Sequence, residues 1–169
     1  SRQLHLVARM IGAGQRVGMK RQVFMTSIGG FDTHANQMRD QPTSMAQVSL
    51  AIDWFLNAMQ ALGLSDRVTL FTASDFGRTL LTNGDGSDHG WGSHHIVAGG
   101  AVNGRDIYGR FPVTPPGPAD DVGSGRLLPS TSVTELAADL GGWMGLTRNE
   151  LGVVLPGLGN FPSTPIGLV

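Results

Sequence analysis

Asp32, His34, Asp75, Asp88 and His89 are the residues of this chain whose types and spacing point to chemistry, and the chemistry is that of a divalent-metal site. Asp32 and His34 follow the apolar run Val23-Phe24-Met25-Thr26-Ser27-Ile28. Asp75 follows a second run, Val68-Thr69-Leu70-Phe71-Thr72-Ala73. Asp88, His89, His94 and His95 lie in a stretch that also carries Gly84, Gly86 and Gly92. Residues i and i+2 of an extended segment point to the same side, so Asp32 and His34 can converge on one ion. Oxygen and nitrogen donors suit Zn, Mn or Fe. The chain has no cysteine, which excludes disulfides, thiolate-bound metal and a cysteine nucleophile. Taken singly, Asp32 and Asp75 also read as turn or helix-capping residues.

Other side chains near these positions have two readings each. Arg78 is the candidate catalytic cation, because a guanidinium matches phosphate or sulfate oxygens two at a time; its alternative is a salt bridge to Asp75 or Asp32. Asp88 either binds metal directly or orients His89 through its other ring nitrogen. His94 and His95 point to opposite sides if extended, so at most one faces the site. His94 and Trp91 are assigned to a substrate pocket, with Trp91 otherwise a lid on the core.

These residues need elements to hold them. Leu4, Val7, Met10 and Ile11 share a helical face over residues 3–13. Residues 22–28 and 67–73 read as buried strands, and 94–98 as a short third one. Ser44 and Gln47 form a capping-box signature after a loop from Gly29 to Pro42. The helix that follows presents Val48, Ala51, Phe55, Ala58 and Leu62 on one face. Ser132 with Glu135, and Thr147 with Glu150, mark two more helix starts. Strand, helix, strand favours a right-handed parallel unit. The expected fold class is therefore α/β, a mostly parallel sheet flanked by helices, with the metal-candidate loops at its carboxyl edge. Residues 1–169 read as one domain, in which 101–130 is a long Gly/Pro-rich surface excursion with Ile107-Tyr108 in a short strand.

Composition narrows the function classes. The chain has 169 residues, 40% hydrophobic and 15% charged, with a net charge of -1 and no long basic block. Nucleic acid and anionic membrane surfaces are not indicated as partners. No run approaches the roughly 20 apolar residues of a membrane span. Neither a phosphate loop nor a G-x-S-x-G nucleophile elbow occurs. The chain opens inside a helical pattern at Ser1-Arg2-Gln3-Leu4, and the expectation is a C-terminal part of a longer polypeptide.

Three motifs, Gly-Gly-Phe-Asp-Thr-His-Ala-Asn-Gln (29–37), Ser-Asp-Phe-Gly-Arg-Thr (74–79) and Ser-Asp-His-Gly-Trp-Gly (87–92), resemble the bacterial family called domain of unknown function 1501. The likeness continues through Gly99-Gly100, Ile107-Tyr108-Gly109 and Pro129-Ser130-Thr131-Ser132-Val133, and ends near Phe161-Pro162. That family is similar to the alkaline phosphatase and sulfatase superfamily. The resemblance implies an alkaline-phosphatase-like core, here incomplete, and periplasmic or exported localisation through a twin-arginine signal. It implies that Asp32, His34, Asp75 and His89 hold divalent metal, Zn or Mn, with Asp88 as ligand or support. Phe76 stands where some relatives have a second ligand. The nucleophile would lie upstream, and an absent N-terminal segment or an oligomer would cover the sheet. The expected function is a metal-dependent hydrolase of small-molecule phosphate or sulfate esters, or a fragment of one. The alternative is an exported, non-catalytic binding or scaffold protein with at most a structural ion.

Overall fold

The computed structural model describes residues 2–113, 119–162 and 164–169. Part of the expected excursion, residues 114–118, lies outside the described residues.

Two helices build the main core. Helix α1 (Arg2–Arg16) lays Val7 and Ala8 against Phe55 and Met59 of α2 (Gln37–Ala61). Leu4, Ile11, Trp54, Ala58, Val68 and Leu70 pack round this centre. Met59 is its most enclosed side chain, 1% exposed. His5 stacks on Trp54 with ring centroids 3.7 Å apart. A second cluster forms where α3 (Val133–Trp143) and α4 (Arg148–Val154) meet the turn Leu158–Asn160. Both helices carry the expected capping boxes, Ser132 with Glu135 and Thr147 with Glu150. Buried Asp139 ties down the tail by accepting from the Ile166 and Leu168 amides at 3.0 and 2.8 Å.

The mostly parallel sheet is not what the chain forms. Its strands make two antiparallel pairs: β1 (Thr69–Phe71) with β4 (Val97–Gly99), and β2 (Gly77–Thr82) with β3 (Ser87–Gly90). Residues 22–28 are outside any strand. Phe24 packs on the core, but Val23 is 85% and Met25 95% exposed. The Ser27 backbone is matched instead by the Gln3 side chain, which accepts from its amide at 2.8 Å and donates to its carbonyl at 3.0 Å. With no ladder on 22–28, α2 has no parallel strand to return from, and the crossover unit is absent. An apolar run states a preference for burial and not a partner. Here β1 finds its partner later in the chain, because β4 can fold back beside it.

Two boundaries also move. Helix α2 starts at Gln37, ahead of Pro42, which therefore sits inside the helix. Ser44 is consequently no cap; its hydroxyl donates to the Gly30 carbonyl at 3.2 Å and pins the helix to the preceding loop. Ile107-Tyr108 forms no strand; the Tyr108 hydroxyl donates to the Asn103 carbonyl. The described part of the excursion returns against the hairpin, where the Leu80 amide donates to Gly125 and the Gly92 amide to Leu127. These bonds occupy polar groups that an edge strand would leave open. Among the described residues, no helix is long and apolar enough to cross a membrane.

One ion pair organises the excursion. Asp120, 4% exposed, accepts both terminal nitrogens of Arg110 at 2.6 and 2.9 Å and the Val113 amide at 3.0 Å. The Arg110 guanidinium, then the Val113 amide, hold its carboxyl far below the ordinary value of 3.8. Because the folded value lies below the unfolded one, this pairing stabilises the protein above the ordinary carboxylate range. That contribution is lost as acid titrates the folded carboxyl. Asp120→Asn should lower the thermal midpoint at neutral pH. The gap to wild type should stay constant down to about pH 5 and close at lower pH. Thermal melts across pH 2–8 would check this, and a pH-independent gap would contradict it.

Candidate metal centre

The β2–β3 hairpin and the segment 32–37 are locked together by bonds that reach across the sequence. Asp85, in the hairpin turn, accepts the Asn36 amide on its side chain at 2.9 Å and the Gln37 amide on its carbonyl at 3.1 Å. It thereby caps a helix some fifty residues earlier. Asn36 is in the left-handed region and supplies no side-chain cap of its own, so Asp85 answers donors that α2 would otherwise leave open. Asn83 Nδ2 donates to the His34 carbonyl at 3.0 Å, and the Ser87 hydroxyl donates to Gln37 Oε1 at 2.9 Å.

Within this frame Arg78 pairs across the hairpin with His89. Directly opposed residues project to the same face, and that face meets Asp32. His89 Nε2 lies 2.7 Å from Asp32 Oδ1, His34 Nε2 lies 3.0 Å from the same oxygen, and the two Nε2 atoms are 3.2 Å apart. A triangle with those sides has a circumscribed radius of about 1.7 Å, smaller than the roughly 2.0–2.1 Å bonds zinc makes to nitrogen and oxygen. One ion can therefore touch all three atoms at normal length. Among the described residues, this is the one group of three or more acids and histidines whose donor atoms converge so closely. All three residues are exposed, so the open side of the triangle faces solvent.

The surrounding side chains hold the donors still. Arg78, 16% exposed at its side chain, reaches Asp32 Oδ1 at 3.3 Å. The same guanidinium donates to the Ser87 hydroxyl at 3.1 Å and to the Ser87 carbonyl. Phe76 stacks face to face on His89, centroids 3.9 Å apart and planes 1° from parallel. Asp88 Oδ1 sits 3.3 Å from His34 Nδ1. The hydrogen bond from His89 leads the causes that keep the Asp32 carboxyl below its ordinary range; the neighbouring imidazole charges and Arg78 act the same way, against desolvation. An anionic Asp32 is the form that binds a cation.

The predicted residues fall into two groups. Asp32, His34 and His89 converge, with Arg78 and Asp88 in contact with them. Asp75 is exposed and outside the converging set. Asp88 contacts His34, whereas the sequence reading joined it to His89. Trp91 is 71% exposed, which removes the core-lid alternative, and His94 stacks on Phe111 at 5.1 Å. His95 instead meets Thr72 Oγ1 at 3.4 Å. An open cleft beside Asp32 is lined by Gly30, Thr33, Asp40, Thr43 and Ser44. Asp85, Gln37 and Ser87 went unread as site supports, since a capping or buttressing role across such separations leaves no local pattern.

The family described as "Protein of unknown function (DUF1501)" matches residues 2–153. No curated protein and no solved structure matches the chain.

Proposed function

The chain belongs to the DUF1501 family, and from its own side chains we propose that it binds one divalent cation, Zn or Mn, through Asp32, His34 and His89, in the service of phosphate- or sulfate-ester hydrolysis. The observation that carries the reading is the meeting of one carboxylate oxygen and two imidazole nitrogens within 2.7–3.2 Å. Two acceptors so close repel unless a proton or a cation lies between them, and one solvent-facing ion relieves all three contacts at once. A bound ion would supply Lewis acidity toward an ester oxygen and a lower pKa for its water.

The chain's own residues do the rest. Asp32 offsets the charge of the cation, and Arg78 fixes its carboxylate. Arg78 is spent on Asp32 and Ser87, so its part is to position Asp32 and not to clamp a substrate. The cleft beside Asp32 gives room for the organic part of an ester. Ester chemistry is what the likeness to the alkaline phosphatase and sulfatase superfamily implies. The support for it here is the donor set, not the parallel sheet, which this chain lacks.

A non-catalytic ion site is favoured by one observation. The hydroxyls beside the cluster are either committed or enclosed: Ser87 donates to Gln37, Ser74 to the Phe76 carbonyl and Thr79 to the Leu81 carbonyl, while Thr33 Oγ1 is buried without a partner and closed to a substrate. The hydrolase reading therefore relies on water as nucleophile. Metal-stripped protein titrated with Zn or Mn should gain about 2.7 kcal/mol of stability when free metal is a hundred times Kd. An unchanged thermal midpoint would refute the metal site. Turnover of aryl phosphates or sulfates by the loaded protein, lost in Asp32→Ala, would decide for the hydrolase over the static ion.

A further inference from the structure

We propose that the solvent side of α1, together with the extended segment that runs back along it, is a docking surface for an anionic lipid bilayer. The surface is separate from the metal centre and does not depend on it.

The net charge of -1 conceals a segregation. Residues 1–31 hold Arg2, Arg9, Arg16, Lys20 and Arg21, five of the twelve basic residues, and none of the thirteen acids. Seven residues make close to two helical turns, so Arg2, Arg9 and Arg16 share one side of α1 over about 21 Å. All three are exposed, on the side turned away from buried Val7, Ala8 and Gly14. Leu6, 57% exposed, and exposed Ala13 fill the i+4 positions between them. Among the described residues, none of Arg2, Arg9, Arg16 and Lys20 forms an ion pair. Arg21 differs: its guanidinium lies against Gly145 and its charge acts on Glu150.

The second observation is apolar. Beyond the helix the Gly18 and Met19 amides donate back to the Gln15 and Gly14 carbonyls at 3.3 and 3.0 Å, and the chain reverses. The Gln22 side chain then lies against Gly14, and Ser27 is held by Gln3. Residues 22–27 therefore run antiparallel along one flank of α1, from its last turn to its first. Phe24 packs on the core, and Val23 and Met25 on either side of it face solvent, as alternation requires. Met10, 45% exposed, shares that flank, being two turns from Gln3 and four residues from Gly14. A row of unpaired cations thus borders a shelf of aliphatic tips formed by Leu6, Met10, Val23 and Met25.

A phospholipid surface answers both features. Its phosphates match guanidinium groups, and the aliphatic tips enter the boundary between headgroups and acyl chains. Nucleic acid would answer the cations alone, and the surface offers no aromatic ring on which a base could stack. A folded partner gains most from side chains seated in pockets, whereas a helix ridge with flexible tips suits a fluid surface.

The chain should cosediment with phosphatidylcholine vesicles that contain about 30% phosphatidylglycerol, and not with phosphatidylcholine alone. Raising salt from about 0.1 M to about 0.5 M should release most of it. Arg9→Gln and Arg16→Gln should each lower the partition coefficient about fivefold. Arg126→Gln makes the same change of net charge outside this surface and should bind as wild type does. Met25→Ser should lower partitioning about threefold. The changed side chains of α1 and its flank are exposed, so these variants should keep the wild-type thermal midpoint. Absence of binding to the anionic vesicles would overturn the proposal. An equal loss in Arg126→Gln would do so too, by marking a general charge effect. Binding indifferent to Met25→Ser, and matched by duplex DNA or polyglutamate, would assign the surface to a polyanion instead. A dimer in sedimentation that Met25→Ser converts to monomer would give it to a second copy of the chain.

Discussion

Alanine at His89 should lower Zn affinity by more than about 100-fold, because loss of a supporting neighbour alone typically costs 10–100-fold and here a ligand itself is removed. His89 supplies one of three converging donors and the shortest contact in the cluster, 2.7 Å to Asp32. Without it an ion would keep Asp32 and His34 only. Metal-free stability should change little, because His89 and Asp32 are both about half exposed and solvent-facing ion pairs contribute little to folding. The effect is thus separable from folding: a near-normal melt without metal, and no rise when Zn is added. Competition against a chromophoric chelator gives the affinity directly. Retention within a few-fold of wild type would mean that the converging atoms are a hydrogen-bonded cluster and not a cation site.

The three side chains that converge, Asp32, His34 and His89, could be singled out in the sequence, whereas the scaffold that brings them together could not. Asp32 and His34 could be paired from their i, i+2 spacing, and Asp88-His89 from its glycine setting. The α/β expectation then placed them at the edge of a parallel sheet, which also recruited Asp75. In the folded chain Asp75 sits just beyond β1 and outside the cluster, since β1 runs beside β4 and contributes no edge to the site. The true platform is the β2–β3 hairpin. Its strands, Gly-Arg-Thr-Leu-Leu-Thr and Ser-Asp-His-Gly, lack the apolar alternation that marks a half-buried strand. They pair because their turn is fastened to α2, and that fastening is a matter of Asp85 meeting amides at Asn36 and Gln37. Helix starts at Ser132 and Thr147 were readable because a capping box is local. The start of α2 was not, because its cap comes from another element.

That fastening predicts the other large effect, at a residue with no side chain. Gly86 is buried where the hairpin turn presses on the backbone of Thr33 and His34. A Cβ there would come within 2.6 Å of the His34 carbonyl oxygen and closer still to that of Thr33. Both obstacles are backbone, so neither can rotate aside. Gly86→Ala must push the turn and the 33–34 segment apart, straining the Asp85 cap and the Asn83–His34 bond. Overpacking of this kind costs about 1–3 kcal/mol, and rigid backbone on both sides places the expected loss near 3 kcal/mol. Movement of His34 also spoils the triangle, which tolerates about 0.5 Å of displacement before a preorganised site degrades. Zn affinity should drop at least tenfold, to an extent set by how far His34 moves and not by any lost ligand. Gly29 supplies the comparison: it lies in the loop that leads into Asp32, its φ is not left-handed and a Cβ there meets nothing within 4 Å. Gly29→Ala should be neutral or stabilising by about 0.4–1 kcal/mol. Equal behaviour of the two variants in denaturant melts and Zn titration would show that the hairpin does not hold residues 32–34 in place.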